Sequence, residues 1–204
     1  MTSGCLDGIR VIDLTQYLPG PYAAQLLSDL GARVVKVEPP AGDPMRGAGV
    51  AGADGIAESY KALNAGKTRL VLDLKNAGAA AAFARLVGAA DVLVESYRPG
   101  VLDRLGFGRA RLGDLNPQLI HCALSGHGQT GPERLAPGHD LTYSAAMGAL
   151  AVSGTAAGPV VPYPPVSDRA GGLYGALSIL GALLRRATTG AGAYIDLAIA
   201  DGVL

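Results

Sequence analysis

The sequence has few of the residues that build metal centres and disulfide frameworks. Its 204 residues include two cysteines and three histidines. Cys5 and Cys122 stand far apart, with no CxxC spacing and no cluster of histidines. We therefore expect neither a structural zinc site nor any other metal site. Without a signal peptide, both thiols are expected to stay reduced in the cytosol.

Excess charge and long apolar runs are also missing. The 17 basic residues balance the 17 acidic residues, which argues against an extended surface for nucleic acid but allows a local patch for one phosphate-bearing ligand. The amino terminus lacks a basic segment followed by an apolar one, and the longest apolar stretch, residues 173–184, is too short to span a bilayer. The sequence thus predicts a soluble cytoplasmic protein with no membrane partner.

Short apolar runs alternate with helical patterns along the chain. The runs are rich in Val, Ile and Leu, and buried parallel strands are predicted at residues 10–14, 33–37, 70–74, 92–94 and 119–124, with a last strand at 194–199. Helices are predicted at 21–30 and 79–87, each closed by a glycine (Gly31 and Gly88), and at 171–186.

This alternation predicts one α/β domain over residues 1–204, with an open, mostly parallel sheet and helices on both faces. No GxGxxG motif follows the first strand, where GPYAAQ stands instead, so an NAD enzyme is disfavoured. Two polar, Gly/Pro-marked loops, residues 39–66 and 126–138, are long enough to be functional. The chain stops just after its last predicted strand, so we expect a fragment or one half of a split protein.

Five ordered segments carry a resemblance to a known family. They read LDGIRVIDLTQYLPGPYAAQLLSDLGARVVKVEPPAGDPMR, LNAGKTRLVLDLK, DVLVESYRPGVLDRLGFG, LNPQLIHCALSGHGQTGP and DRAGGLYGALSILGALLRRATTGAGAYIDLAIADGVL. Together they resemble the first half of a family III CoA-transferase. The resemblance implies the family's Rossmann-like, CoA-binding large domain without its small domain, and an acyl-CoA substrate. It implies no cofactor beyond the coenzyme A of that substrate. It also implies an interlocked homodimer or a partner half-chain.

By this resemblance, a set of positions is expected to contact CoA: Leu18, Leu72 to Lys75, Ser96, Tyr97, Arg98 and Arg104, with Gly138 and Tyr143 as further candidates. Lys75, Arg98 and Arg104 are expected to form one basic patch, since their charges suit the phosphates of CoA. Taken singly, each cation is equally well explained as a solvated surface charge, and Tyr143 as a packing residue.

One departure from the family pattern concerns phosphate binding. Where members commonly carry an Arg after the second strand, this chain has Pro39. Arg46, or Lys67 together with Arg69, are then the candidates to supply the missing positive charge.

The reaction is expected to depend on His139, in PGHDLTY, and Asp168, in PPVSDRAGG just before a helix of small residues. In the racemase branch of the family, a His in a GHD motif and a following Asp are the two bases. The resemblance therefore favours an α-methylacyl-CoA racemase that moves the proton at C2 of a 2-methylacyl-CoA, with both residues facing one cleft. Backbone N–H groups at the start of the helix would stabilise the enolate oxygen.

Two alternatives stay open. In a CoA-transferase, Asp168 would instead attack the acyl-CoA and form an aspartyl-CoA intermediate, which leaves His139 without a role. The chain could also be a non-catalytic CoA-binding or assembly half. A lone His is more often structural, and Asp168 could merely cap the helix that follows. His121 and His127 are expected to be structural.

Overall fold

The computed structural model describes residues 4–204. The strands are β1 (Arg10–Asp13), β2 (Arg33–Glu38), β3 (Thr68–Val71), β4 (Val92–Glu95), β5 (Ile120–Ser125), β6 (Gly154–Thr155), β7 (Gly158–Pro159) and β8 (Ala193–Ala198). The helices are α1 (Pro19–Asp29), α2 (Glu58–Leu63), α3 (Ala77–Ala89), α4 (Val101–Arg104), α5 (Arg109–Leu115), α6 (Asp140–Ala146), α7 (Ala149–Val152) and α8 (Val166–Thr189). Two short 3₁₀ segments cover Pro44–Gly47 and Ala200–Val203.

Six of the strands form one parallel sheet in the order β3-β2-β1-β4-β5-β8. Alternate residues of the central strands point to opposite faces. Val11 and Val94 pack in a core shared with α1 and α8, whereas Ile12 and Leu93 pack in a core shared with α3, α4 and α5. The predicted fold, an open Rossmann-like α/β sheet covered on both faces, is confirmed. The strand order reverses between β1 and β4, and open α/β sheets bind ligands at such a point.

Four of the predicted strands lie within a residue or two of their expected bounds, and the last strand is shifted by one residue. The third prediction was wrong in place and in burial. The strand is Thr68–Val71, at the sheet edge, and three of its four residues are exposed. Its hydrogen-bonding partner β2 ends at Glu38, which pairs with Val71. Leu72 and Leu74, which made the sequence look like a strand, pack against the core from the turn that follows.

One predicted helix end agrees with the structure, whereas Gly88 and the start of the last helix differ from expectation. Helix α1 stops as predicted at Gly31, which has a φ of 106° and donates its N–H to the carbonyl of Ser28. Gly88, in contrast, lies inside α3 rather than after it. The last helix begins at Val166 instead of residue 171. Asp168 is therefore the third residue of α8 and does not precede it.

Two buried ion pairs join strands β1 and β2 to the long loop after β2. The Nζ of Lys67 lies 3.0 Å from Oδ2 of Asp13, and the two side chains are 1% and 0% exposed. Lys67 also donates to the carbonyl of Pro21. Nearby, the Nζ of Lys36 lies 3.0 Å from Oδ2 of Asp43. Burial alone would raise the pKa of Asp13, but Lys67 and Lys36 outweigh it and hold that pKa below its usual value.

Among residues 4–204, no helix combines the length and hydropathy that crossing a bilayer requires. Within the same range, no group of three or more His, Cys, Asp or Glu side chains is arranged to hold a metal ion. Cys5 is exposed, Cys122 is buried in β5, and the two are not bonded to each other.

Replacing Lys67 by Met should destabilise the protein by about 3 kcal/mol, because Asp13 would be left as an incompletely compensated buried charge. Adding Asp13→Asn to Lys67→Met should recover part of the loss, because the uncompensated charge is then gone. Urea unfolding measures both effects. Lys61→Met, which removes an ammonium at the surface beside Asp54 and Glu58, should change stability little. A loss for Lys67→Met no larger than that of this control would contradict the account.

Candidate active site

A cavity of about 400 Å³ opens at the carboxyl edge of the sheet, where the strand order reverses. Its walls come from the segments that directly follow β1, β4 and β5, from the loop before α6, and from the first turn of α8. Its lining includes Gln16, Tyr17, Ser96, Tyr97, Arg98, Ser125, Arg134, Gly138, His139, Tyr143 and Asp168. Most of the residues that the sequence marked as functional are thus brought to one place.

A second cavity of about 230 Å³ adjoins the first. The two share Gln16, Tyr97 and Val101 as a common wall. Leu72 and Lys75 line the second cavity, together with Pro39. The same three residues therefore border both cavities, one of which is lined by Lys75 and the other by Asp168.

His139 and Asp168 reach the cavity from two different helices. His139 is the residue before α6, and its ring meets that of Tyr17 edge to face, with the centroids 5.8 Å apart. Tyr17 has a φ of 64°, and no other residue besides glycine in the described range has a positive φ. Such a conformation is uncommon for a bulky side chain, and outliers of this kind cluster at functional sites.

The carboxyl group of Asp168 is in a strongly perturbed environment. Burial first, and the nearby carboxylate of Asp140 second, raise the pKa of Asp168 to about 6, against the opposing influence of His139. The interpretation of Asp168 as a helix cap was wrong. The cap position is Pro165, and Asp168 lies inside the first turn.

One of the backbone N–H groups expected to stabilise an enolate oxygen already has a hydrogen-bond partner within the protein. The N–H of Asp168 already donates to Oδ1 of Asp140 over 3.0 Å.

Tyr143 both packs and lines the cavity. Its side chain is buried and its hydroxyl donates to the carbonyl of Gly138. A Cβ at Gly138 or Gly126 would collide with the ring, so these glycines are required for close packing of Tyr143. Burial first and Asp168 second raise the pKa of Tyr143, and Arg98 opposes them.

Four polar lining residues were not singled out from the sequence: Gln16, Tyr17, Ser125 and Arg134. Gln16 and Ser125 stand at or just beyond the carboxyl ends of predicted strands, a position that could have marked them. The backbone N–H of Gln16 donates to Oγ of Ser96, which ties the loop after β1 to the loop after β4. Arg134 lies in a loop whose path no sequence pattern specifies.

Two of the residues expected to contact CoA line neither cavity. Arg104 lines neither cavity, and Leu18 lies between two lining residues without itself facing the cavity. Lys75 and Arg98 line different cavities, and Arg104 lines neither. The walls of these two cavities therefore do not form the single basic patch expected for the three residues.

The three residues expected to supply the positive charge that is missing at Pro39 each lie beside an acidic side chain of the protein itself. Lys67 is held by Asp13, and Arg46 by Glu38 and Tyr60. Arg69 lies at a looser 3.6 Å from Glu38 and is about half exposed.

The other two histidines lie outside both cavities. His121 is buried in β5 with its Nε2 3.7 Å from Oε1 of Glu95, and His127 packs edge to face against Tyr143. Both placements agree with the structural roles expected for them.

The fold and the cavity define an α/β protein with a half-buried carboxyl, that of Asp168, in a cleft where the strand order of the sheet reverses. Residues 6–204 match the family model for CoA-transferase family III. The chain belongs to this family.

Named relatives and solved structures agree with this assignment. The acetyl-CoA:oxalate CoA-transferase of Acetobacter aceti is 43% identical over 98% of this chain and 52% of its own length. The human succinyl-CoA:glutarate CoA-transferase is 36% identical over 94% of the chain and 44% of its own length. The crystal structure of a CAIB/BAIF family protein from Brucella suis superposes with a TM-score of 0.94 at 36% identity, covering 99% of this chain and 55% of that one. The chain thus spans about half the length of the relatives it matches.

Asp168 should lower folding stability above pH 6. An unfolded Asp titrates near pH 4, whereas the folded value is about 6. Below pH 4 the group is protonated in both states and costs nothing; above pH 6 the folded state bears the cost of a half-buried charge. Asp168→Asn should therefore raise the free energy of unfolding by about 1 kcal/mol at pH 8, allowing for solvent screening, and much less at pH 4.

Urea unfolding at the two pH values measures this difference. The exposed Asp114 on α5 provides a matched control, because Asp114→Asn makes the same chemical change at the surface and should alter stability little. An equal gain from Asp168→Asn at pH 4 and pH 8 would contradict the perturbed titration.

Proposed function

We propose that this protein transfers CoA from an acyl-CoA to a carboxylic acid, with Asp168 as the covalent nucleophile. The observation that carries the proposal is the half-buried carboxyl of Asp168 in the cavity, with its pKa raised to about 6. At pH 7 to 8 such a group is mostly ionised, and it is more basic than an ordinary aspartate. It is therefore a stronger nucleophile. The names of the relatives support transfer over racemisation, although the sequence analysis favoured the racemase.

The reaction follows from this carboxylate in balanced steps. An oxygen of Asp168 attacks the thioester carbonyl carbon, the C–S bond breaks, and CoA leaves as a thiolate beside an acyl-aspartyl anhydride. The thiolate then attacks the aspartyl carbonyl, releasing the donor acid and forming an aspartyl-CoA thioester. The acceptor carboxylate attacks that thioester, which frees the thiolate and forms a second anhydride between Asp168 and the acceptor. The thiolate then attacks the acceptor's carbonyl carbon in this anhydride and leaves as the new acyl-CoA. Asp168 is regenerated, and no net proton or redox change occurs.

The cavity offers charges suited to a dicarboxylic acid. Arg98 and Arg134 both line it, and a guanidinium can bind a carboxylate through two parallel hydrogen bonds. Relatives are named for oxalate and glutarate. We therefore propose a small dicarboxylate as the acceptor class. The acyl-CoA would lie across the shared wall of the two cavities, with its acyl carbon beside Asp168.

The racemase is retained as a second candidate because of one observation. His139 lines the same cavity as Asp168, and its charge acts on the titration of Asp168. Two bases in one cleft are what proton transfer at C2 of an acyl-CoA needs. An interlocked homodimer or a partner half-chain remains a prediction of the family resemblance. A non-catalytic CoA-binding half remains the alternative if no activity is found.

Substitutions at the two residues separate these functions. For a transferase, Asp168→Ala should lower the rate of CoA transfer from acetyl-CoA or succinyl-CoA to oxalate or glutarate by at least about 10³-fold, because the nucleophile is gone. His139→Ala should lower it by less than about tenfold. Chromatography of the acyl-CoA products measures both rates.

Deuterium wash-in at C2 of a racemic 2-methylacyl-CoA is the opposing test. Exchange of the C2 proton without any acid acceptor would favour the racemase over the transferase. In that case His139→Ala should slow exchange from one enantiomer by about 10²–10⁴-fold. The assays belong on the full-length protein, since the matched relatives are about twice as long as this chain.

A further inference from the structure

The carboxylate of Asp140 binds the first turn of α8 from a different helix. Its Oδ1 accepts a hydrogen bond from the hydroxyl of Ser167 over 2.6 Å and from the backbone N–H of Asp168 over 3.0 Å. The Ser167 hydroxyl also lies 2.9 Å from the carbonyl of Asp140. Since it has one proton to donate, the shorter bond to a charged acceptor is the stronger of the two.

This contact replaces a local helix cap. The first N–H groups of any helix lack partners within the helix, and a side chain at the cap position usually supplies one. In α8 the cap position is Pro165, which makes no side-chain cap hydrogen bond. Asp140 supplies the acceptor from α6 instead. The Ser167 side chain that completes the contact is fully buried.

The same carboxylate connects the two residues that face the cavity. Asp140 follows His139 directly in sequence, and its side chain holds the backbone of Asp168. The backbone that carries the Asp168 carboxyl is thereby held to the first residue of α6. Positioning errors of about 1 Å at a reacting group can cost about 10²-fold in rate, so this connection bears directly on the chemistry.

Asp140 also counteracts the field of the helix. A helix N-terminus stabilises negative charge and would make Asp168 a weaker base. The like charge of Asp140, placed at that N-terminus, opposes this effect, and after burial it is the second cause of the raised pKa of Asp168. The other charged or titratable groups that line the cavity are Tyr17, Tyr97, Arg98, Arg134, His139 and Tyr143.

Resting on the proposed function, we propose that Asp140 is a positioning residue. It caps α8 through Ser167 and the Asp168 N–H, fixes the backbone that carries the nucleophile, and keeps the Asp168 carboxylate reactive by opposing the helix N-terminus.

Titration of Asp168 in ligand-free, full-length protein tests the electrostatic part without any assay of transfer. Asp140→Asn keeps an acceptor for Ser167 and Asp168 but removes the charge, so the pKa of Asp168 should fall from about 6 toward its ordinary value. Carbon-13 NMR of the aspartate carboxyls measures the shift, with Asp168→Asn assigning the resonance and Asp114→Asn as the control. An unchanged pKa in Asp140→Asn overturns the proposal, whatever the transfer rates.

Kinetics of Ser167→Ala test the alignment. This variant removes a donor but leaves both carboxyls, so kcat should fall about 10- to 100-fold while KM for the acyl-CoA stays nearly constant. A wild-type kcat, or a loss confined to KM, overturns the positioning role. If the wild-type protein shows no CoA transfer while the NMR shift is found, the proposed function fails and the electrostatic role of Asp140 stands.

Discussion

The buried pair between Lys67 and Asp13 is the interaction on which the candidate site depends most. Asp13 ends β1, and the residues that follow it, Gln16 and Tyr17, form part of the cavity wall. Lys67 draws the end of the long loop onto that strand, and Lys36 holds the carbonyl of Thr15 from the neighbouring strand. Because separating these partners would leave uncompensated buried charges, this cluster restrains where the chain turns after β1. The unusual backbone of Tyr17 is held there.

A second charge contact organises the opposite wall. The parallel sheet brings the loops after β1, β4 and β5 to one edge, and α8 packs on one face of the sheet beside α1. The first turn of α8 is then joined to α6, the helix that follows His139. Asp140 makes that connection by capping α8 across the helix pair. The proposed nucleophile is therefore presented by a helix terminus fixed to the rest of the site, and functional groups on rigid elements are held more accurately than groups on loops.

Features that depend on neighbouring residues in the sequence were predicted, whereas contacts between residues far apart in the sequence were missed. Strands β1, β2, β4 and β5 were predicted because continuous Val, Ile and Leu runs are typical of strands buried on both faces. The third strand was misplaced because its end is set by pairing with β2, and the alternation in LVLDL continues past that point. His139 and Asp168 were identified through the family resemblance. The pairing of Lys67 with Asp13, 54 residues away, and of Asp140 with Ser167, 27 residues away, leaves no trace in local spacing.

Direct detection of the covalent intermediate tests the account most directly. The protein is incubated with an acyl-CoA donor and no acceptor, quenched and digested, and the peptide spanning residues 135–169 is weighed by mass spectrometry. The account predicts that this peptide gains the mass of CoA less one water, with fragmentation placing the adduct on Asp168, and that the adduct disappears when a dicarboxylic acid is added. A peptide that stays unmodified while CoA transfer proceeds, or an adduct on any other residue, would contradict it.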